Sequence, residues 1–547
     1  MVKSVPIMRI PAPNREQQRI LAAIDMGTNS LHMVVVQIDA SLPTFTIIAK
    51  EKETVRLGDR ETKTGNLKPE VMARTMAALR RFQELAHSLN AEHIVAVATS
   101  AVRESPNGRD FLKEIERELD LRVNLISGQE EARRIYLGVL SCMEFNKEPH
   151  IIIDIGGGST ELILGDGHEP RSLSSTKVGA VRLTSEFVTT DPISNDEFKY
   201  LQAYIRGMLE RPVEELQNHL FPQQEEPRLV GTSGTIETLA AIDAREQLGT
   251  EPSPLTGYEL KLKNLQDIVQ QLRKLSYEER VEVPGISEKR AEIILAGALI
   301  LQEAMTVLGI DSLTICERSL REGVIVDWML AHGLIEDRLR FQSSIRQRST
   351  LKLAQKYQVN LESAERVAAF VLSFFDQTEG ILHEWGLDER ELLWTAAILH
   401  NCGIHISHSS HHKHSYYLIR NGELLGYTDL EVEAIANLAR YHRQSAPKKK
   451  HDNYRNLPKH YRKMVAQLSA LLRLSVALDR RQIGAIADVE CHYDAKKKEL
   501  HLKLQPTEPD DKCVLELWSL EQKKQVFEEE YGVRLVASLK STPVAVG

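Results

Sequence analysis

A strand that ends in an aspartate, a turn of small residues and a second apolar strand occur twice in this chain. That repetition limits the folds open to it more than any other feature. The first copy is Ile24-Asp25-Met26-Gly27-Thr28-Asn29-Ser30, running into an apolar stretch over 31–38. The second is Ile151-Ile152-Ile153-Asp154-Ile155-Gly156-Gly157-Gly158-Ser159-Thr160-Glu161, running on to Leu164. Self-similarity at this distance predicts two related α/β halves, each offering a turn to one cleft, rather than a solenoid. The alternative is two unrelated hairpins. Glycines reach positive φ and bring bare N–H groups close to an anion, and an aspartate at a buried strand end can hold a cation or a water. Phosphate with a divalent metal suits both groups. Gly231-Thr232-Ser233-Gly234-Thr235 is a third turn of this kind, with hydroxyls and free N–H groups at a helix start.

Between the two copies, 44–50 reads as a strand, 50–58 as a charged loop, and Pro69 opens a helix to about 89. A strand over 93–99 leads into Thr99-Ser100-Ala101-Val102-Arg103, where an arginine beside hydroxyls suits an oxyanion or a surface ion pair. Asn107 is expected to cap a helix to about 120. Ser127-Gly128-Gln129-Glu130-Glu131-Ala132-Arg133 then starts a helix with adjacent carboxylates. Neighbours on a helix point about 100° apart, so only one of the two can face a site. Spacing alone favours acids that complement the helix N-terminus. Past the second copy the pattern predicts a strand over 171–177, helices to about 216, an apolar helix over 287–308, a strand over 312–316 and a helix to about 334.

With 547 residues the chain has room for three to four cores of about 150 residues each. No apolar run approaches the roughly 20 residues that cross a bilayer, and no leader pattern opens the chain; residues 1–18 read as a disordered lead. Five cysteines without a CxxC pair suit a reducing cytoplasm and argue against a cysteine-held zinc. A net charge of −8 argues against nucleic acid as a partner.

From 335 the pattern changes to amphipathic helices over 346–357, 363–376, 391–400, 430–442 and 463–478, an all-α domain ending near 484. A His-rich loop follows His400-Asn401, and His411, His412, Lys413, His414, His442 and Arg443, with Lys448-Lys449-Lys450, concentrate positive charge in an acidic protein. That suits a polyanion along a channel, and a solvated loop is the plainer reading of the lysines. Residues 485–547 read as a small α/β domain.

The ordered set Asp25-x-Gly-x-Asn29-Ser30, Ser127-Gly-x-Glu-Glu131-Ala-Arg133, Asp154-Ile-Gly-Gly-Gly-Ser-Thr-Glu161, Gly231-Thr-Ser-Gly-Thr235 and Leu320-Arg-Glu-Gly323 resembles the exopolyphosphatase/guanosine pentaphosphate phosphohydrolase (Ppx/GppA) family over about 20–334. The resemblance implies two actin/Hsp70/sugar-kinase-like (ribonuclease H-like) lobes, 19–145 and 146–334, followed by an HD-like helical domain, 335–484, and the small domain. It implies processive hydrolysis of the terminal phosphate of inorganic polyphosphate, or of guanosine pentaphosphate (pppGpp), by a cytoplasmic homodimer. In this pattern Glu131 is the base that readies water. Asp25 and Asp154 hold Mg²⁺ or Mn²⁺, with Glu161 in the metal shell or positioning water, and K⁺ is a further candidate ion. Asn29, Ser30, Arg103, Gly156, Gly157, Gly158, Ser159, Ser233, Gly234 and Thr235 cradle the phosphates. A kinase or chaperone of the same superfamily would need an adenine pocket, which the sequence does not display; a catalytically dead nucleotide sensor would not need Glu131 and Asp154. Two departures stand out. Cys316-Glu317-Arg318 replaces a stretch that tends to read Ser-Asp-Gly, and Asn401 replaces the aspartate of a working HD metal site.

Overall fold

The computed structural model describes residues 18–39, 44–220, 225–335, 345–422 and 424–540, and the chain divides into two compact units, 1–345 and 346–547. In the first unit, β1 (Gln18–Met26), β2 (Ser30–Asp39) and β3 (Thr44–Thr54) form an antiparallel meander, and β4 (His93–Ala98) and β5 (Val123–Leu125) extend it in parallel beyond β1, in the order β3-β2-β1-β4-β5. Helices α1 (Pro69–Ser88), α2 (Ser100–Glu104) and α3 (Gly108–Leu119) make the crossovers. Val71, Met76, Leu79, Phe82 and Ala86 bury one stripe of α1, and the helix opens on proline, whose missing N–H has no partner to lose there.

After α4 (Gly128–Leu140) the same plan recurs. β6 (His150–Ile155), β7 (Thr160–Gly165) and β8 (Ser172–Thr176) are an antiparallel meander. β9 (Arg228–Thr232) and β11 (Ser312–Ile315) continue in parallel beyond β6, with β10 (Glu259–Lys261) antiparallel at the edge. Apart from β10 the strand order is identical, so the repeated turn does mark two related α/β lobes. Helices α6 (Asn195–Leu220), α7 (Gly234–Leu248), α8 (Leu262–Leu272) and α11 (Ile294–Leu308) pack on the second sheet, with α5 (Ala180–Phe187) against α6 and α11, α10 (Glu288–Ala291) against α11 and α9 (Tyr277–Val281) against α10.

Helix α12 (Leu320–Ala331) returns to the first lobe: it packs on α4 and on β1 and β2, and Trp328 lies 5.6 Å from the His93 ring at the start of β4. Two glycines allow α4 and α12 to cross backbone to backbone. A Cβ on Gly323 would sit 1.7 Å from the Arg134 carbonyl oxygen, and one on Gly138 would sit 2.0 Å from that of Ser319. Arg133 and Arg134 pair with Asp327 across the crossing at 2.6 and 3.2 Å.

Some local expectations need correction. β3 runs on to Thr54 where a charged loop was expected, because it is an edge strand and its Lys and Glu side chains face solvent. The helix expected over 287–308 breaks between α10 and α11. Asn107 does not cap α3: its amide clasps Leu67, accepting from the backbone N–H at 2.8 Å and donating to the carbonyl at 3.1 Å. The lead expected over 1–18 lies almost wholly outside the described residues.

The second unit packs helices Leu361–Thr378, Leu387–Leu399, His411–Arg420, Asp429–Arg440 and Lys459–Leu478 together with a sheet. β12 (Ile486–Asp494) pairs antiparallel with β13 (Glu499–Pro506), which pairs in parallel with β14 (Arg534–Leu539). The helix Val514–Tyr531 lies on Lys459–Leu478. Among the described residues no helix is long and apolar enough to cross a membrane.

Candidate active site

The two aspartate turns are built alike. The Gly27 N–H donates to the Ser30 carbonyl at 3.1 Å, and the Gly156 N–H donates to that of Ser159 at 2.9 Å. Gly156 is therefore closed inside its own turn, which corrects the expectation that all three glycines offer an N–H. The Gly157 and Gly158 amides make no hydrogen bond among the described residues. The turns face each other across the cleft. A Cβ on Gly158 would lie 2.7 Å from Thr28 Oγ1 and 2.5 Å from Ser100 Oγ, so only glycine lets the lobes approach this closely. Beside this contact, the Asn29 carbonyl accepts from the Arg56 N–H at 2.9 Å, and Ser30 is buried with its hydroxyl 3.5 Å from that of Thr54.

Four acids converge here. Asp25 ends near the tip of β1, and its Oδ1 is buried with no hydrogen-bond partner among the described residues. Burial pushes its carboxyl up to about 7, with Arg321 opposing and Asp154 adding to the rise. Asp154, buried near the end of β6, is pushed up to about 6 by burial while a hydrogen bond from the Ser319 hydroxyl opposes. Glu161 stands opposite Asp154 in the β6–β7 ladder. It accepts from the Ser175 hydroxyl at 2.7 Å and is pushed up to about 8 by burial and by Asp154. Glu131, buried in the first turn of α4, is raised by burial and by Glu161. Arg103 opposes that rise from 3.2 Å and also donates to the Ile126 carbonyl at 2.7 Å. Glu130 points elsewhere, ion-paired to Arg133 and Arg134 at 2.8 and 2.9 Å, and the Arg133 hydrogen bond holds it below the usual carboxylate range. The helical turn thus sends one carboxylate of the pair into the cleft and the other to the α4–α12 crossing.

The third turn borders the same cleft. Ser233 adopts a φ of 79°, and its hydroxyl donates to the Ile155 carbonyl at 2.8 Å, tying α7 to the end of β6. Gly234 lies under the Arg290 guanidinium, and Thr235 is buried against Gly297. Ser159 is buried and opposes the rise at Glu161. Residues for which the sequence carried no expectation complete the site. Arg321 is raised by Glu322, with Asp25, Glu237 and Asp154 contributing, and the Ser319 N–H at the start of α12 donates to the Glu322 carboxylate at 3.0 Å. Arg321 lies inside a motif quoted above, and that motif was its only signal. The Arg318 departure leaves the backbone unstrained: Arg318 is not among the positive-φ residues, and its buried side chain stacks 4.6 Å over Phe45 and donates to Ser141 at 3.1 Å.

The cluster expected to line a channel is different from its sequence reading. His411 and His412 lie in the first turn of a helix and are buried, as is His442. The Nε2 atoms of His411 and His442 are 3.3 Å apart, and the His400 and His442 rings 5.0 Å. These imidazoles are buried against one another, where the sequence suggested that they line a polyanion channel; Lys413 and Lys448 to Lys450 are exposed, and His414 and Arg443 half-buried.

Among the described residues no three His, Cys, Asp or Glu side chains are placed to hold a metal together. The sequence matches the description of the Ppx/GppA phosphatase family over residues 34–332, more than half of its length. The chain belongs to that family. Residues 345–524 match its domain III. Among solved structures, a Ppx/GppA family member from Aquifex aeolicus is 28% identical, covering 58% of this chain and 99% of its own, with a TM-score of 0.49. An exopolyphosphatase from Cytophaga hutchinsonii is 27% identical, covering 58% and 98%, with a TM-score of 0.51. Membership of the Ppx/GppA family makes the chain a hydrolase of phosphoanhydride bonds on the two-lobed actin-like fold.

Proposed function

We propose that the chain is an exopolyphosphatase that removes the terminal phosphate of inorganic polyphosphate, with Glu131 as the base. The observation that carries this reading is the convergence of Glu131, Arg103 and the two glycine-bearing turns on one interlobe cleft. The exopolyphosphatase from Cytophaga hutchinsonii supports the substrate. Hydrolysis of pppGpp is the second reading, since the family's name covers both and each substrate presents a terminal phosphoryl group on a polyanion.

The Gly157 and Gly158 N–H groups donate to the oxygens of the terminal phosphoryl group, with Asn29, Ser159 and Thr235 nearby, and Arg103 adds a fixed positive charge. Glu131 takes the proton of the attacking water, and its raised proton affinity suits a base working near neutral pH. Glu161, held by Ser175, orients that water. Asp25 and Asp154 fit a divalent cation: a buried, unpartnered Oδ1 beside a second carboxylate supplies the hard oxygens that Mg²⁺ or Mn²⁺ takes from a protein, with water and substrate completing the shell. When bound, the metal supplies charge neutralisation for the transferred phosphoryl group.

The helical domain, 335–484, is read as HD-like without a working metal site. Asn401 stands where an aspartate is needed, and Asp479 is tied to Arg366 at 2.9 Å and Ser363 at 2.5 Å. Its exposed cations, Lys413 and Lys448 to Lys450, hold distant phosphate units, and multivalent contact slows release and makes cleavage processive. The active form is a cytoplasmic homodimer. Phosphate release with Mg²⁺, measured in parallel on long polyphosphate and on pppGpp, tests the reading. A kcat/KM at least tenfold higher on polyphosphate, with no accumulation of intermediate lengths on gels, is expected; the reverse preference assigns pppGpp instead.

A further inference from the structure

Glu104 ends α2, one residue after Arg103, and is not one of the four acids of the cleft. Three cations surround its carboxylate: Arg182 Nη2 at 2.7 Å, Arg60 Nη1 at 3.7 Å and Lys177 Nζ at 3.8 Å. Ser100 donates to its other oxygen at 3.3 Å. Arg182 also donates through Nε to the Gly158 carbonyl at 2.9 Å, so the cluster touches the glycine turn itself. It draws on both lobes, since Glu104 and Arg60 belong to the first and Arg182 and Lys177 to the second. Glu186, the other acid near these cations, lies 3.9 Å from Arg182 with about half its side chain in solvent.

Glu104 leaves some of these donors unsatisfied. Arg60 Nε is buried with no hydrogen-bond partner among the described residues, and Arg60 and Lys177 stay beyond hydrogen-bond distance. Guanidinium and ammonium groups aimed at one point beside an anion-holding turn are the donor set of phosphate recognition, and a phosphate carries more oxygens and more charge than a carboxylate.

We infer that Glu104 is the internal occupant of a second phosphate site, formed by Arg60, Lys177 and Arg182, which a phosphate oxyanion takes over by displacing the Glu104 side chain. The oxyanion is either released orthophosphate or a phosphate unit of the substrate, which share this chemistry. The inference rests on the exopolyphosphatase reading for its purpose, yet binding of inorganic phosphate tests it without turnover. A plain interlobe clasp is the competing role.

Calorimetric titration of the full chain with inorganic phosphate, on wild type, E104Q, R182Q and the double variant, decides between them. Removing the competing carboxylate tightens phosphate binding about tenfold in E104Q, the size of one charged hydrogen bond, and R182Q weakens it comparably. The E104Q gain disappears in the R182Q background, which separates this site from the catalytic one. A clasp gives the opposite: E104Q lowers the melting temperature and leaves phosphate affinity unchanged or weaker, and that result overturns the inference. Steady-state kinetics on polyphosphate distinguish the two sources, because a stronger product inhibition in E104Q assigns orthophosphate and a lower KM assigns a chain unit. Absence of turnover on any substrate defeats the exopolyphosphatase reading and leaves the calorimetric result standing.

Discussion

At the scale of single residues, the pair Glu130-Glu131 shows how position on a helix divides labour. Glu131 is enclosed with Glu161 and Arg103, while Glu130 is held by two arginines at the helix crossing. Glu131→Gln should therefore lower kcat by about 10²- to 10⁴-fold with little change in KM, whereas Glu130→Gln should keep kcat within a few-fold; phosphate-release assays compare the two. A base must be ionised to act, and Glu131 is raised, so the acid limb of the wild-type rate profile should lie above the ordinary carboxylate range. The glycine turns were legible in the sequence because their chemistry is local. The choice between the two glutamates was not, since spacing says only that one of them faces the site. Ser319 and Arg321 reach Asp154 and Asp25 from far along the chain, which no local pattern encodes.

At the scale of elements, the α4–α12 crossing holds Glu131 in place, and its close approach depends on glycine. Gly323→Ala would put a methyl group 1.7 Å from the Arg134 carbonyl oxygen, a clash of backbone with backbone that side-chain motion cannot relieve. It should destabilise the first unit by about 3 kcal/mol or more in urea unfolding. Gly207→Ala, inside α6 with no atom within 4 Å of the new Cβ, should be neutral or stabilise by up to about 1 kcal/mol. Periodic buried elements such as α1 and β6 were read correctly from their apolar spacing. Where tertiary context outweighed composition the reading failed: an edge strand tolerates charges that look like a loop, and Asn107 found a better partner in Leu67 than in its own helix.

At the scale of the whole molecule, the acids in the cleft link stability to pH. Asp25, Asp154 and Glu161 have folded values of about 7, 6 and 8, all above their unfolded values. Between about pH 4 and 8 the folded state binds more protons than the unfolded one, so stability falls as pH rises through this window. Without divalent metal, the melting temperature should drop by about 5 °C or more from pH 5 to pH 8, and added Mg²⁺ should restore most of the loss. Calorimetric scans at both pH values, with chelator or Mg²⁺, measure this; a melting temperature that rises with pH in chelator would contradict the buried-acid account. The return of α12 to the first sheet also governs how the protein is made. A ribosome must deliver residues as late as Ala331 before β1 and β2 receive their cover, so the earliest strands to emerge wait bare on one face through the synthesis of an entire second lobe.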